Sequence, residues 1–292
     1  MKYKNHFGTS ILLLLAMLSF IACDIINPAE SIPARVQLEP INFVVQPGQG
    51  SAQQKITELW TFADAEFVGA FAPPTEIHYF ADEVMKEFTF EPGIRNNGIL
   101  DAAIIYPLFT SYTVELNTTA GNLSVVTPII GYKPEAVFSL VSDFELQNDF
   151  VDNRDSIAES VLVRSAADPF EGNFSGEIIL TPETNIIEVG NSIGLVNLPV
   201  DGTPTYLEFH YKSETEMWIG LLGIPLSGSN VSNFFYLLKP SEDWNKIYIE
   251  LTDWLEVSSL PAYKILFRAS YPSSAIQPSY KIQVDNIKVV HL

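Results

Sequence analysis

Cysteine is nearly absent from this chain of 292 residues, because Cys23 is the only one. A disulfide framework and a metal cluster with several cysteine ligands are therefore excluded. Basic residues are also scarce, with 16 Lys and Arg against 35 Asp and Glu, for a formal net charge of −19. Since proteins bind phosphate backbones through Lys and Arg, we expect no nucleic-acid partner. The hydrophobic content of 47% excludes a disordered chain.

Motifs that carry catalytic chemistry are also missing. The sequence has no His-Glu-x-x-His, Gly-x-Ser-x-Gly or phosphate-loop pattern. His210 falls on the outward face of an alternating segment, where we expect a solvated side chain. A pair of carboxylates for sugar hydrolysis is open among so many acids, but no spacing singles one out. We therefore predict that the protein is not an enzyme.

The N-terminus has the pattern of a secretory signal. Lys2 and Lys4 precede an apolar stretch centred on residues 11–18, and no acidic residue occurs before Cys23. A membrane-spanning helix needs ~20 apolar residues, so this shorter stretch with a basic start predicts a signal peptide over residues 1–22. The alternative is a buried core helix.

Residues 19–23, Ser-Phe-Ile-Ala-Cys, resemble a bacterial lipobox, in which a small residue precedes a lipidated cysteine. Phe20 departs from the usual Leu, and looser versions resemble those of Bacteroidota lipoproteins. The resemblance implies lipidation of Cys23, a tether over residues 23–33 and an anchor in the outer membrane, with the cell surface favoured over the periplasmic face. The alternative is an ordinary secretory signal with a chance cysteine.

Beyond the tether, short segments alternate between apolar and polar residues, as half-buried strands do. Turn-forming residues separate them, among 19 prolines and 16 glycines in the chain. We predict an all-β protein of two β-sandwiches, residues 34–134 and 135–292, divided near Lys133 and Pro134. The alternating segments are residues 87–91 (before the break at Pro92 and Gly93), 112–116, 207–212, 247–251 and 263–267.

Four motifs in the second half resemble the jelly rolls of carbohydrate-binding modules, also called galactose-binding-like sandwiches. They occur in the same order as in that family, at residues 142–145, 170–180, 242–251 and 284–289. The resemblance implies a jelly-roll fold and a glycan ligand. The first half resembles an Ig-like domain through residues 59–64, 67–71, 92–94 and 97–98.

The jelly-roll resemblance also implies a structural calcium, with Glu145 and Asp285 as its candidate ligands. Calcium takes six to eight oxygens, so backbone carbonyls would have to complete the site. The alternative is that Asp285 and Asn286 hydrogen-bond the backbone at a strand bend. No other cofactor is expected.

Exposed aromatic rings are the sugar-binding platforms of such modules. Trp254, in a predicted loop, is the first candidate; Trp218, with a buried core position as its alternative, and Tyr248 are further candidates. Trp244 is expected to pack in the core. Asp155-Ser156-Ile157 resembles a Bacteroidota O-glycosylation site, which would modify Ser156.

Two functions follow from the sequence. The first is a non-catalytic outer-membrane lipoprotein whose jelly roll binds glycan. The second is a structural accessory subunit of an outer-membrane assembly, export or uptake complex, because exposed aromatics serve protein partners equally well.

Overall fold

The computed structural model describes residues 31–80 and 83–292. The signal peptide, the lipidation site at Cys23 and most of the tether lie outside these residues, and so remain predictions. The described part of the chain forms 22 strands and one short helix. The predicted all-β fold class is confirmed.

The first ten strands pair only with one another and form three small sheets. The largest has the order β4-β3-β6-β7, with β8 also paired to β6, and the others are β5-β1-β9 and β10-β2. The strands are β1 (Ala34–Leu38), β2 (Asn42–Val44), β3 (Glu58–Ala63), β4 (Glu66–Phe71), β5 (Thr75–Tyr79), β6 (Met85–Arg95), β7 (Ala103–Ile105), β8 (Tyr112–Asn117), β9 (Leu123–Val126) and β10 (Ile129–Gly131).

The other twelve strands form two six-stranded sheets. One has the order β13-β14-β22-β17-β20 with β11 also on β22, and the other has the order β12-β15-β21-β18-β19 with β16 also on β21. Their bounds are β11 (Val137–Ser142), β12 (Asp152–Asn153), β13 (Val163–Ser165), β14 (Ser175–Leu180), β15 (Ile186–Gly190), β16 (Leu195–Val196), β17 (Thr205–Ser213), β18 (Met217–Ile224), β19 (Val231–Leu238), β20 (Ser241–Glu250), β21 (Ala262–Ser270) and β22 (Tyr280–His291).

The break expected at Pro92 and Gly93 does not occur, because β6 continues to Arg95. The ladder with β8 stops at Phe90, and the ladder with β7 starts at Gly93. On the edge of β6 that pairs with β8 and then with β7, Pro92 therefore lies between the two partner strands. No interstrand hydrogen bond there requires the N–H that proline lacks.

Each half has its own hydrophobic core, and the two halves pack closely. The first core also takes in Tyr206, Tyr248 and Val290, which come from β17, β20 and β22 of the second half. Period-2 alternation places these residues on the face opposite to Leu207 and Ile249, which belong to the second core. One sheet of the second half is therefore covered on both faces.

The strand ladders divide between β10 and β11, but packing crosses that point. Tyr132 is buried in the first core and its ring meets Phe138 edge-on, with centroids 4.8 Å apart. Further along, Asn97 N donates to Tyr248 O at 2.9 Å and Asn97 Oδ1 accepts from Glu250 N at 2.9 Å. The turn after β6 thus pairs onto β20, the last strand of its sheet. The boundary at Lys133 and the Ig-like character of the first half stay predictions.

The single helix within the described residues, α1 (Thr252–Ser258), is where the sequence predicted a loop. It is seven residues long, and its N-cap, Leu251, makes no side-chain capping bond. Buried Leu255 anchors it, and Thr252 Oγ1 accepts a hydrogen bond from Thr205 N at 3.1 Å. Packing, and not a capping signal, therefore makes this segment helical.

Candidate functional site

The outer face of the second six-stranded sheet carries an exposed tryptophan in a row of polar side chains. Trp218 on β18 lies opposite Leu237 on β19 and opposite Arg268 on β21, and Arg268 lies opposite Glu188 on β15. Their neighbours Ile219, Phe267 and Ile187 point into the core, so the row faces outward. Trp218 is 42% exposed.

A glycine two residues after Trp218 leaves room for a second aromatic ring on this face. A Cβ at Gly220 would stand 2.7 Å from Cδ1 of Phe234 and 2.5 Å from the carbonyl oxygen of Asn233. The Phe234 ring therefore occupies the space that a side chain at position 220 would fill. The Arg268 guanidinium lies over that ring, 5.4 Å from its centroid, in a cation–π contact.

Charged side chains of alternating sign extend the row. One carboxylate oxygen of Glu188 lies 4.0 Å from the Arg268 guanidinium, and the other lies 3.7 Å from the Arg154 guanidinium. Asp152 lies 3.6 Å from Arg154 and 2.8 Å from Lys264. We call Trp218, Phe234, Arg268, Glu188 and Arg154 the Trp218 surface.

This surface combines an apolar ring face with fixed hydrogen-bonding groups. Aromatic faces accept the C–H groups of a sugar ring, and guanidinium and carboxylate groups bond in pairs to neighbouring hydroxyls. Its charged groups already lie next to one another, at 3.7 and 4.0 Å, before a ligand arrives. The arrangement can therefore bind a polar, hydroxyl-rich ligand without a deep pocket.

Trp254 lies elsewhere, on α1, and is 40% exposed. Its ring stacks on Phe235, with centroids 5.0 Å apart and planes at 24°. Phe235 covers one face of the indole, and the position adjoins a small cleft of about 100 Å³ lined by residues such as Val231 and Leu260. The structure therefore does not bring Trp254 and Trp218 into one row.

Tyr248 is only 2% exposed, so we leave it out of the candidate surface. Its hydroxyl donates to Gln54 Oε1 at 3.0 Å and accepts from Lys55 N at 2.9 Å, both in the first half of the chain. Trp244, expected in the core, is half-buried, and its Nε1 donates to the Asp168 carbonyl at 3.2 Å.

A buried network of charges joins the two halves beside Tyr248. Glu208 is fully buried, and its carboxylate accepts hydrogen bonds from the hydroxyls of Tyr106 at 2.7 Å and Tyr132 at 2.8 Å. Lys246 Nζ lies 3.0 Å from the same carboxylate, and Lys288 Nζ lies 3.4 Å from the Tyr132 hydroxyl. We call these five residues the Glu208 network.

The network shifts the pKa values of its members. Burial pushes the pKa of the Glu208 carboxyl upward, but Lys246, Lys288 and the two tyrosines outweigh it, so the pKa is lowered. Burial, with the like charge of Lys246, lowers the pKa of Lys288 to about 7.

His210 was expected in solvent, and that expectation is wrong, because the residue is buried. Phe170 stacks on its ring with centroids 3.8 Å apart. Burial and the two lysines lower the pKa of His210 to about 2, so it stays neutral at physiological pH.

The side chains of Glu145 and Asp285 both accept hydrogen bonds from the loop that follows β13. Glu145 accepts hydrogen bonds from Asn173 N, Phe174 N and Asn173 Nδ2 at 2.7, 2.9 and 3.1 Å. Asp285 accepts from the backbone N–H groups of residues 170, 171 and 286 at 3.2, 3.3 and 2.7 Å.

All four carboxylate oxygens of Glu145 and Asp285 therefore already accept at least one hydrogen bond from an N–H group. No group of three or more His, Cys, Asp or Glu side chains in the described residues is placed to hold a metal ion. These hydrogen bonds favour the backbone-bonding alternative, and calcium at Glu145 and Asp285 stays a prediction.

The choice between backbone bonding and calcium at Asp285 can be tested through pH and with a chelator. Burial raises its pKa to about 7, against the backbone N–H groups that lower it. The folded protein keeps this proton up to about pH 7, whereas the unfolded chain releases it near the ordinary aspartate pKa of 3.8. The contribution of Asp285 to stability therefore falls as the pH rises from about 4 to 7.

We expect Asp285→Asn to flatten that part of the stability profile, and a chelator to leave the melting temperature of the full chain unchanged. A chelator that lowers the melting temperature of the native chain but not of Asp285→Ala would instead establish the calcium site.

Ser156, the predicted O-glycosylation site, is exposed in a turn that Asp155 holds. Asp155 accepts from Ile157 N at 2.7 Å and from Glu188 N at 2.9 Å. Modification of Ser156 stays a prediction. Among the described residues, no helix has the length and apolar content needed to cross a bilayer.

Sequence reasoning named Trp218 but missed its partners Phe234, Arg268, Glu188 and Arg154. These residues come from four separate segments, and only the strand register brings them together. The one available signal was the alternation around residues 263–267, which places Arg268 on the outward face.

Comparisons with known proteins concern the fold. No protein-family model and no curated protein sequence matches the chain. Among solved structures, the chain is similar to the CBM22-1 xylan-binding domain from Paenibacillus barcinonensis Xyn10C, at 11% identity and a TM-score of 0.38. The match covers 53% of this chain and 95% of that one.

A family 11 carbohydrate-binding module of the cellulosomal cellulase Lic26A-Cel5E of Clostridium thermocellum matches at 15% identity, a TM-score of 0.38, and 53% and 95% coverage. A family 29 carbohydrate-binding module matches at 17% identity, a TM-score of 0.33, and 54% and 88% coverage. At these identities and scores the matches carry no argument about function, which therefore depends on the site itself.

Proposed function

We propose that this protein is a non-catalytic, lipid-anchored outer-membrane lipoprotein whose jelly-roll domain binds glycan through the Trp218 surface. The observation that carries the proposal is the exposed indole of Trp218 in one row with Arg268 and Glu188 on an open sheet face. Such a face is reachable by a long polymer, which needs an accessible strip and not an enclosed pocket.

The charges of this surface suit binding more than chemistry. Both oxygens of Glu188 lie beside guanidinium groups, at 3.7 and 4.0 Å. A carboxylate in this position can orient the hydroxyls of a ligand, whereas glycoside hydrolysis also needs a carboxylic acid that donates a proton. The proposal is therefore for recognition of an intact glycan.

A glycan array probed with the full chain tests this proposal. We expect binding to a restricted set of oligosaccharides, and loss of those signals for Trp218→Ala. Array signals that are unchanged in the variant, or a native chain that binds no glycan, would contradict the proposal.

The accessory-subunit alternative is favoured by a different surface. On α1, Val257 is 85% exposed beside Trp254, and Val231 nearby is 61% exposed. Exposed apolar and aromatic side chains of this kind mark protein contacts. Affinity purification of the native protein from membranes distinguishes the two functions: a stoichiometric outer-membrane partner lost in Trp254→Ala supports the alternative.

The anchor is tested separately, at Cys23. The proposal predicts that Cys23→Ser abolishes acyl labelling and releases the protein from membranes, because the surface is too acidic to bind anionic lipid headgroups. A variant that fractionates with membranes like the native chain contradicts lipidation. Proteolysis of intact cells then reports which side of the membrane the protein faces.

A further inference from the structure

A second cleft lies where the first half of the chain meets the edge of β20. Its volume is about 340 Å³. Its side chains come from the segment before β3, the turn after β6 and strands β17, β19 and β20. We call it the interdomain cleft, and its polar lining residues include Lys55, Arg95, Tyr211, Tyr236, Lys239 and Asn245.

The lining of this cleft is positive in a strongly negative protein. Lys55, Arg95, Lys239 and Lys246 line it, and no Asp or Glu does. The whole chain has only 16 basic residues against 35 acidic ones. Three of these four cations have a carboxylate partner outside the lining, so the positive charge that the cleft offers to a ligand comes mainly from Lys55.

The cations differ in how fully they are paired. Arg95 lies 2.6 Å from Glu58, Lys239 lies 2.5 Å from Glu216, and Lys246 belongs to the Glu208 network. Within residues 31–80 and 83–292, Lys55 forms no ion pair. Its Nζ donates to the neutral amide oxygen of Asn245 at 2.6 Å, which leaves its charge uncompensated.

Neutral groups beside Lys55 suit a hydroxylated ligand. Asn245 Nδ2 donates to the Tyr211 hydroxyl at 3.1 Å, and the Tyr211 O–H has no acceptor among the described residues. Tyr236, which donates to Asn97 O at 2.7 Å, adds a second aromatic ring to the lining. At the mouth, Leu100 is 79% exposed.

We propose that the interdomain cleft is a second binding site, which takes an acidic sugar through its carboxylate. Lys55 and Arg95 receive the carboxylate, the Tyr211 and Asn245 side chains bond the ring hydroxyls, and the tyrosine rings contact the sugar's C–H face. The site is separate from the Trp218 surface and does not depend on it.

Calorimetric titration of the full chain with trigalacturonate, and with its neutral methyl ester, tests this site. We expect the acid to bind and the ester to bind at least about tenfold more weakly. Added salt should lower the affinity for the acid. Lys55→Gln should lower the affinity for the acid about tenfold, because the variant loses one hydrogen bond to a charged group. Lys281→Gln, which removes an exposed lysine that pairs with Glu177 and does not line the cleft, is the matched control and should bind normally.

Three results would overturn the site: equal affinity for acid and ester, Lys55→Gln binding like Lys281→Gln, or displacement of the sugar by a molar excess of inorganic phosphate. The last result would mean that charge alone is recognised. Trp218→Ala should bind trigalacturonate like the native chain. The experiment therefore distinguishes a failure of the Trp218 surface from a failure of the interdomain cleft. Melting temperatures of all variants check that each is folded.

Discussion

Glu208→Gln lowers the free energy of unfolding by about 3–5 kcal/mol, the cost of removing one partner from a buried ion pair. The carboxylate is fully buried and faces Lys246, while Tyr106 and Tyr132 donate to it from the other half of the chain. A neutral amide leaves Lys246 and Lys288 buried without an anion between them. It also turns an N–H group toward one tyrosine hydroxyl.

Denaturant unfolding of the full chain measures this loss. Glu242→Gln, an exposed position on the same strand as Lys246, is the control, and we expect a change below about 0.5 kcal/mol there. Adding Lys246→Met to Glu208→Gln should recover part of the loss, because the double variant no longer buries that unpaired charge. Equal stability of Glu208→Gln and Glu242→Gln would show that the network does not hold the two halves together.

Trp218→Ala weakens glycan binding by at least about 2 kcal/mol, or roughly 30-fold, as expected for an aromatic residue at the centre of a binding surface. The indole is 42% exposed on the sheet, so its removal takes away ligand contact with little loss of core packing. Trp218→Phe keeps a ring face and should retain part of the affinity.

Trp254→Ala is the matched control, since it removes the same residue type at 40% exposure. Titration of a glycan identified on the array should give native affinity for this variant. Loss of affinity in Trp254→Ala with native affinity in Trp218→Ala would move the binding surface to α1.

Most of the strand pattern could be predicted from the sequence, because alternation reports directly on local structure. Strands β8, β17, β20 and β21 lie where the alternating segments predicted them. Alternation shows that a strand has two faces, but it does not show what covers the second face. His210 was therefore placed in solvent, whereas the structure buries it together with Glu208, through the Phe170 loop and the first half of the chain.

The candidate site could be predicted only in part, and for a related reason. Trp218 is visible in the sequence as a large aromatic, but Arg154, Glu188 and Arg268 reach it only through the register of three strand pairs. The helix that carries Trp254 has no capping side chain and a Leu at its N-cap, so the sequence has no start signal to read.

Hydrogen exchange of the full chain, with and without an array-selected glycan, tests the central claim most directly. The account predicts that bound glycan slows exchange in β18 and β21, the strands that carry Trp218 and Arg268, and leaves α1 unchanged. Protection confined to α1, or spread over the first ten strands with none in β18 and β21, would contradict the claim that the Trp218 surface binds glycan.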